Sequence, residues 1–270
     1  MSALAAAATG ANAMFKRDFA IFVSYRGRLL MRLTTGFVSV ALFYYISRLV
    51  SVRPFVSPDD YFAFVVVGIA ITEVVISVLG TLPARIGQEL YTGTFERLVV
   101  SPLGPVTGLV SMTMFPLLLA YLTAITSIAF AVIVFGMPLH WETVPLAIPA
   151  ALLASVAFIP FAVFVGAAMM IFKQAASLGG LITTGLSFVA GFLFPIALLP
   201  AWIRWTSEVQ PFTPAVELLR KLLVDTPMTQ PAAIAVLKLL GFAVVLFPLA
   251  VLALKSAIRY AQQKGTVTEY

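Results

Sequence analysis

The chain has 270 residues, of which 61% are hydrophobic and only 10% charged, with a net charge of +6 and a mean hydropathy of +1.05. A soluble domain carries about 25% charged residues, so this composition excludes one and defines an integral membrane protein. Cysteine is absent, which rules out disulfides and thiolate metal ligands. The basic residues flank apolar runs instead of clustering with exposed aromatics, an argument against nucleic-acid binding.

The first dozen residues, MSALAAAATGAN, are small and uncharged and read as disordered. No positive charge precedes an apolar run, so a cleaved signal is not expected. From Met14 to Leu33, Phe15, Phe19, Phe22, Leu29 and Leu33 recur at helical steps, flanked by Lys16, Arg17, Arg26, Arg28 and Arg32. This predicts an amphipathic helix over 14–33 lying in the membrane interface, because each Arg at the centre of a span costs roughly 2.5 to 3.5 kcal/mol. A tilted start to the first span is the alternative.

Spans of roughly 20 apolar residues are predicted at about Gly36 to Val52, Tyr61 to Leu82, Val106 to Phe135, Val144 to Phe172, Ser177 to Leu199 and Ala232 to Leu254. The fold class is therefore an all-α integral membrane protein, with 1–270 as a single domain of six transmembrane helices. Pro116, Pro149 and Pro160 are kink points that absorb the excess length of the third and fourth spans. Six spans place both termini on one side. Lys16, Arg17, Arg26, Arg28, Arg32, Arg85, Arg97, Lys173, Lys255, Arg259 and Lys264 fall there, against Arg48, Arg53, Arg204, Arg220, Lys221 and Lys238 opposite. The excess of Lys and Arg makes the first side cytoplasmic.

The polar insert RIGQELYTGTFERLVVSP, Arg85 to Pro102, then faces the cytoplasm. Arg85, Glu89, Thr92 and Glu96 follow four-three-four steps and form one polar stripe if the segment is helical, with Ile86 and Leu90 pointing to the bilayer or bundle. Gly87 and Gly93 bend or weaken it, and the SPLGP run ends it. The segment 83–100 is longer than a connecting loop needs. Tyr91 and Phe95 beside alternating charges suit a partner-facing surface.

QELYTGTFERLVVSP resembles the segment after the second span in permease subunits of ATP-binding-cassette exporters of the type-two family. The resemblance extends to the basic amino-terminal helix, the six spans, and LLPAWIRWTSEVQPFTPAVELLR before the last span. It implies a cytoplasmic coupling helix that docks on a separate ABC ATP-binding subunit through Arg85, Gln88, Glu89, Tyr91, Gly93, Thr94, Phe95, Glu96 and Arg97. It also implies a second permease copy, as a homodimer or a paired heterodimer, in a bacterial or archaeal plasma membrane. No Gly-x-x-x-x-Gly-Lys-Ser/Thr run occurs, so this chain is expected to be no enzyme and to bind no cofactor, with ATP and Mg held by the partner ATPase.

Between Pro200 and Asp225 the chain is too polar to span and too apolar for an exposed loop. Two short helices joined by the PFTP turn are predicted. The resemblance makes 198–225 an external re-entrant pair closing the exit, with Trp202, Trp205, Pro211, Pro214, Glu217 and Arg220 as gate residues. An interfacial aromatic belt without a gating role is the alternative.

Glu73 lies near the middle of the second span, where a carboxyl is costly. Either it lines a translocation path or it is a paired structural group between helices. His140, the sole histidine, sits in the GMPLHWET loop with no companions for a metal site or a triad. The resulting expectation is the permease subunit of an ABC exporter moving an amphipathic, drug-like or lipid-linked substrate, in contact with membrane lipids. Its rivals are a polysaccharide or glycolipid exporter, an intramembrane lipid enzyme with Glu73 as acid or base, and an ion-coupled transporter.

Overall fold

The computed structural model describes residues 3–52, 55–93, 105–171, 184–186 and 188–263. Among these the elements are helices α1 (Ala3–Ser24), α2 (Arg26–Leu49), α3 (Pro58–Tyr91), α4 (Pro105–Ser111), α5 (Met114–Phe135) and α6 (Val144–Ile171). The order continues with α7 (Ala201–Arg204), α8 (Phe212–Val224) and α9 (Ala232–Gln263), and 3-10 turns lie at Ile196–Leu198 and Trp205–Ser207. No strand occurs among the described residues.

Among the described residues five stretches are long and apolar enough to cross a bilayer: Leu29–Leu49, Pro58–Glu89, Thr107–Phe135, Val144–Ile171 and Ala232–Ala261. They match five of the six predicted spans. The remaining one, Ser177 to Leu199, lies outside the described residues at 177–183 and 187; its described part is helical at 184–186 and 188–189 and then turns before the Ile196–Leu198 3-10 turn.

Helix α3 is the axis of the bundle. Every residue from Tyr61 to Ile71 is buried, as expected of a helix that is apolar on all sides. It packs against α2, α5, α6 and α8, while α6 also carries α9. Much of the remaining apolar surface, including Ile133 on α5 and Val244 on α9, faces outward and is available to lipid.

Three boundaries differ from the sequence reading. The amino-terminal dozen is helical from Ala3 onward, because alanine favours a helix more than any other residue. The predicted 14–33 helix is divided at Tyr25, whose backbone (φ −118°, ψ 52°) leaves the helical region; Arg26 to Leu33 instead begin α2. The polar insert is not a separate helix at its start, since α3 continues through Pro83 to Tyr91 and only then turns at Gly93, where φ is +68°. At about 1.5 Å per residue, the 34 residues of α3 reach about 51 Å, well beyond a hydrocarbon core of about 30 Å.

The two ends of the bundle differ. One end holds α1, the Pro83 to Tyr91 extension of α3, α4, and the far part of α9. The other holds α8 and the 136–143 connection, where the His140 amide donates to the Leu223 carbonyl at 2.8 Å.

Candidate functional site

In the Phe stripe read from the sequence, Phe15 and Phe22 are half-buried and Phe19 is 51% exposed, yet all three reach α5. Phe15, Phe19 and Phe22 surround Phe115 of α5 edge-on, with ring centres 5.3, 6.2 and 5.6 Å away. Asp18 lies on that same face, three residues after Phe15 and four before Phe22, and is 4% exposed. A carboxylate there needs a partner. Arg85 supplies one across 67 residues, its Nη2 lying 2.9 Å from Asp18 Oδ2, and Arg17 adds a second contact at 3.1 Å. Helix α1 is thereby ionically tied to the extension of α3. Asp18 escaped the sequence reading; its one signal was being a lone carboxylate within a basic amphipathic segment.

Of the residues assigned to the coupling segment, Gln88, Tyr91 and Gly93 are exposed, Glu89 is half-buried, and Arg85 faces inward to Asp18. Thr94, Phe95, Glu96 and Arg97 lie outside the described residues.

At the opposite end, Arg220 of α8 does not face the exterior. It is 3% exposed, and its Nε, Nη1 and Nη2 donate to the carbonyls of Phe64 (3.1 Å), Gly191 (2.8 Å) and Phe192 (2.5 Å). Burial pulls its pKa down to about 9 against the raising influence of Glu217, so the guanidinium remains charged at neutral pH. One planar fork therefore joins α8, α3 and the 191–192 turn. Gly68 makes the junction possible, because a Cβ there would lie 1.7 Å from the Phe192 oxygen. Gly191 takes φ +74°, a conformation that also favours glycine.

The other residues assigned to the gate divide into two groups. Trp202 and Trp205 are exposed, and Trp205 Nε1 donates to the Trp202 carbonyl at 2.8 Å. Pro211 and Pro214 are buried, with Pro211 preceding α8 and Pro214 within its first turn. The chain thus turns before the PFTP run instead of across it, since proline is tolerated in a first turn where no intrahelical N–H bond is lost. Both Glu217 carboxylate oxygens accept from the Thr229 hydroxyl at 2.8 Å. The Lys221 ammonium, hydrogen-bonded to Asp225, holds that carboxyl below its ordinary range.

Glu73 stands at the junction of α2, α3 and α5. Ser127 Oγ donates to its Oε1 at 3.4 Å, Thr123 flanks it and Arg32 is the charged neighbour. Its Oε2 is buried without a hydrogen-bond partner among the described residues. Gly36 of α2 closes the site: a Cβ there would lie 3.0 Å from Glu73 Oε1 and 2.8 Å from Ser127 Oγ. Among the described residues no group of His, Asp and Glu is placed to hold a metal.

Long apolar helices packed around one buried axis, with an amphipathic helix tied to one end and short helices clamped on the other, define a multi-pass membrane domain. The chain belongs to the ABC-2 type transporter family, whose profile matches residues 9–224, from within α1 to the end of α8. Members are membrane subunits of ABC transporters that generally lack an ATPase site of their own and pair with an ATP-binding subunit. No curated protein sequence matches the chain.

Proposed function

We propose that the chain is the membrane subunit of an ATP-driven exporter for an amphipathic, drug-like or lipid-linked substrate. In this reading it works as a pair of permease copies in a bacterial or archaeal plasma membrane, with both termini cytoplasmic. The observation that carries the reading is the 34-residue length of α3, more than one span needs, with its Pro83 to Tyr91 end held to α1 by the Asp18–Arg85 ion pair. Such a projection is stiff enough to transmit a push. A separate ABC ATP-binding subunit, holding ATP and Mg, docks over Gln88, Glu89, Tyr91 and Gly93 and the following Thr94 to Arg97. Closure of two ATPase subunits would displace this end and move α3 as a lever.

The lever passes Glu73 at mid-membrane and reaches Phe64, near its Pro58 end, where Arg220 connects it to α8. Movement at one end therefore has a mechanical route to the opposite end, where Trp202, Trp205, Pro211, Pro214 and Glu217 would form the exit. Arg220 is a positioning residue in this scheme because its donors are occupied by backbone carbonyls.

Affinity purification of the tagged chain from its own cell tests the reading. An ABC ATPase should co-purify, and Glu89→Arg or Glu96→Arg should weaken that association and ATP-dependent transport while leaving the protein in the membrane. Unchanged association and transport in both variants would remove the coupling assignment.

A further inference from the structure

Helices α5 and α6 are joined by the short 136–143 connection, yet they do not pack along their lengths; each rests on α3. Between them, on the α8 side of the bundle, runs a groove of about 530 Å³. Its floor combines the small side chains of Ala70, Ala124 and Ala154 with the larger buried Val67, Ile71 and Phe158, and its rim carries the exposed aliphatics Ile125, Ile133, Ile148 and Leu152. Trp141, also exposed, stands at its mouth. We propose that this groove binds one acyl chain of a membrane glycerophospholipid, drawn from the leaflet on the α8 side. The inference rests on membrane embedding alone and is independent of the transport reading.

Three observations select this occupant. Along α5 the lining runs from Tyr121 to Ile133, a rise of about 18 Å, close to the roughly 15 Å hydrocarbon depth of one leaflet. Pockets for drug-like ligands offer a few free polar groups. Here the Tyr121 hydroxyl already donates to the Ala151 carbonyl at 2.8 Å and meets Ser155 Oγ at 2.5 Å, which leaves an aliphatic slot. Trp141 sits where an amphipathic ring marks the headgroup level, so the polar end of the lipid stays outside.

The full chain would be reconstituted in vesicles of phosphatidylethanolamine and phosphatidylglycerol containing a phosphatidylethanolamine with a diazirine on its acyl chain. After illumination, adducts should concentrate on groove peptides over the lipid-facing α9 position Val244 by about tenfold. Leu152→Trp and Ala151→Trp should reduce groove adducts several-fold and leave those at Val244 unchanged. Leu152 is half exposed on the rim, so its variant keeps the test valid if the Ala151 substitution prevents folding. Equal labelling of groove and α9, insensitive to either substitution, would overturn the proposal in favour of ordinary boundary lipid. Efficient copy-to-copy disulfide formation by Ile148→Cys would also overturn it, by placing a second copy there.

Discussion

The Arg220 guanidinium carbon lies 3.3 Å from the centre of the Phe64 ring, and the same side chain donates to the Phe64 carbonyl. These residues are 156 positions apart, and their contact fixes α8 against the start of the bundle axis. A buried charge is retained here because three carbonyls and an aromatic face compensate its lost hydration.

Replacing Arg220 with Lys should therefore be severe. One ammonium on a flexible stem cannot span all three carbonyls, and each buried acceptor left unpaired costs about 1 to 3 kcal/mol. The expected loss is about 3 kcal/mol, read as a lowered thermal midpoint in detergent. An unchanged midpoint would mean that the acceptors find other donors.

Gly68 and Gly80 lie on the same helix and should respond oppositely to alanine. At Gly68 the new methyl would collide with the Phe192 carbonyl and displace the turn that Arg220 holds. At Gly80 a Cβ would meet no side chain or neighbouring element among the described residues within 4 Å, so alanine should be neutral or stabilise by up to about 1 kcal/mol through helix propensity. Equal midpoints for the two variants would remove the Gly68 to Phe192 approach from the account.

Asp18→Ala should leave Arg85 without its carboxylate and loosen α1 from the α3 extension. Residues in one ion pair show coupling of about 0.5 to 3 kcal/mol in a double-mutant cycle. With Arg85→Ala as the second arm, thermal unfolding should give a value in that range. ATP-dependent transport should fall in either single variant. Strict additivity would indicate that the pair is not a connection between the helices.

Glu73→Gln keeps the shape and one acceptor beside Ser127 while removing the ability to ionise. Insertion should be normal and the pH dependence of transport altered. A transport profile identical to wild type at every pH would make Glu73 a purely structural group. Gly36→Ala should mimic a steric disturbance of the same site without changing charge, through its contact with Ser127 Oγ.

The native chain has no cysteine, so single introduced cysteines report sidedness directly. An impermeant thiol reagent on intact cells should label position 208 or 225, and reach 92 or 264 only after the membrane is opened. Labelling of 208 solely from the cytoplasmic side would reverse the proposed orientation and move the ATPase to the α8 end.

The amino-acid sequence by itself determined the membrane class, the all-α architecture, the family resemblance and the Phe15, Phe19, Phe22 face of α1. Each is written in composition, in motifs or in a local period that one helix can express alone. It also singled out Glu73, since a mid-span carboxyl is legible without knowing its neighbours. Only the tertiary structure decided which polar groups meet. Asp18 reaches Arg85 across 67 residues, and Arg220, expected at a gate surface, turns inward to Phe64. The Gly68 to Phe192 approach and the groove between α5 and α6 are likewise products of packing. The physical reason is that a helical period specifies which face is buried, while the partner that neutralises a charge on that face is selected by three-dimensional proximity.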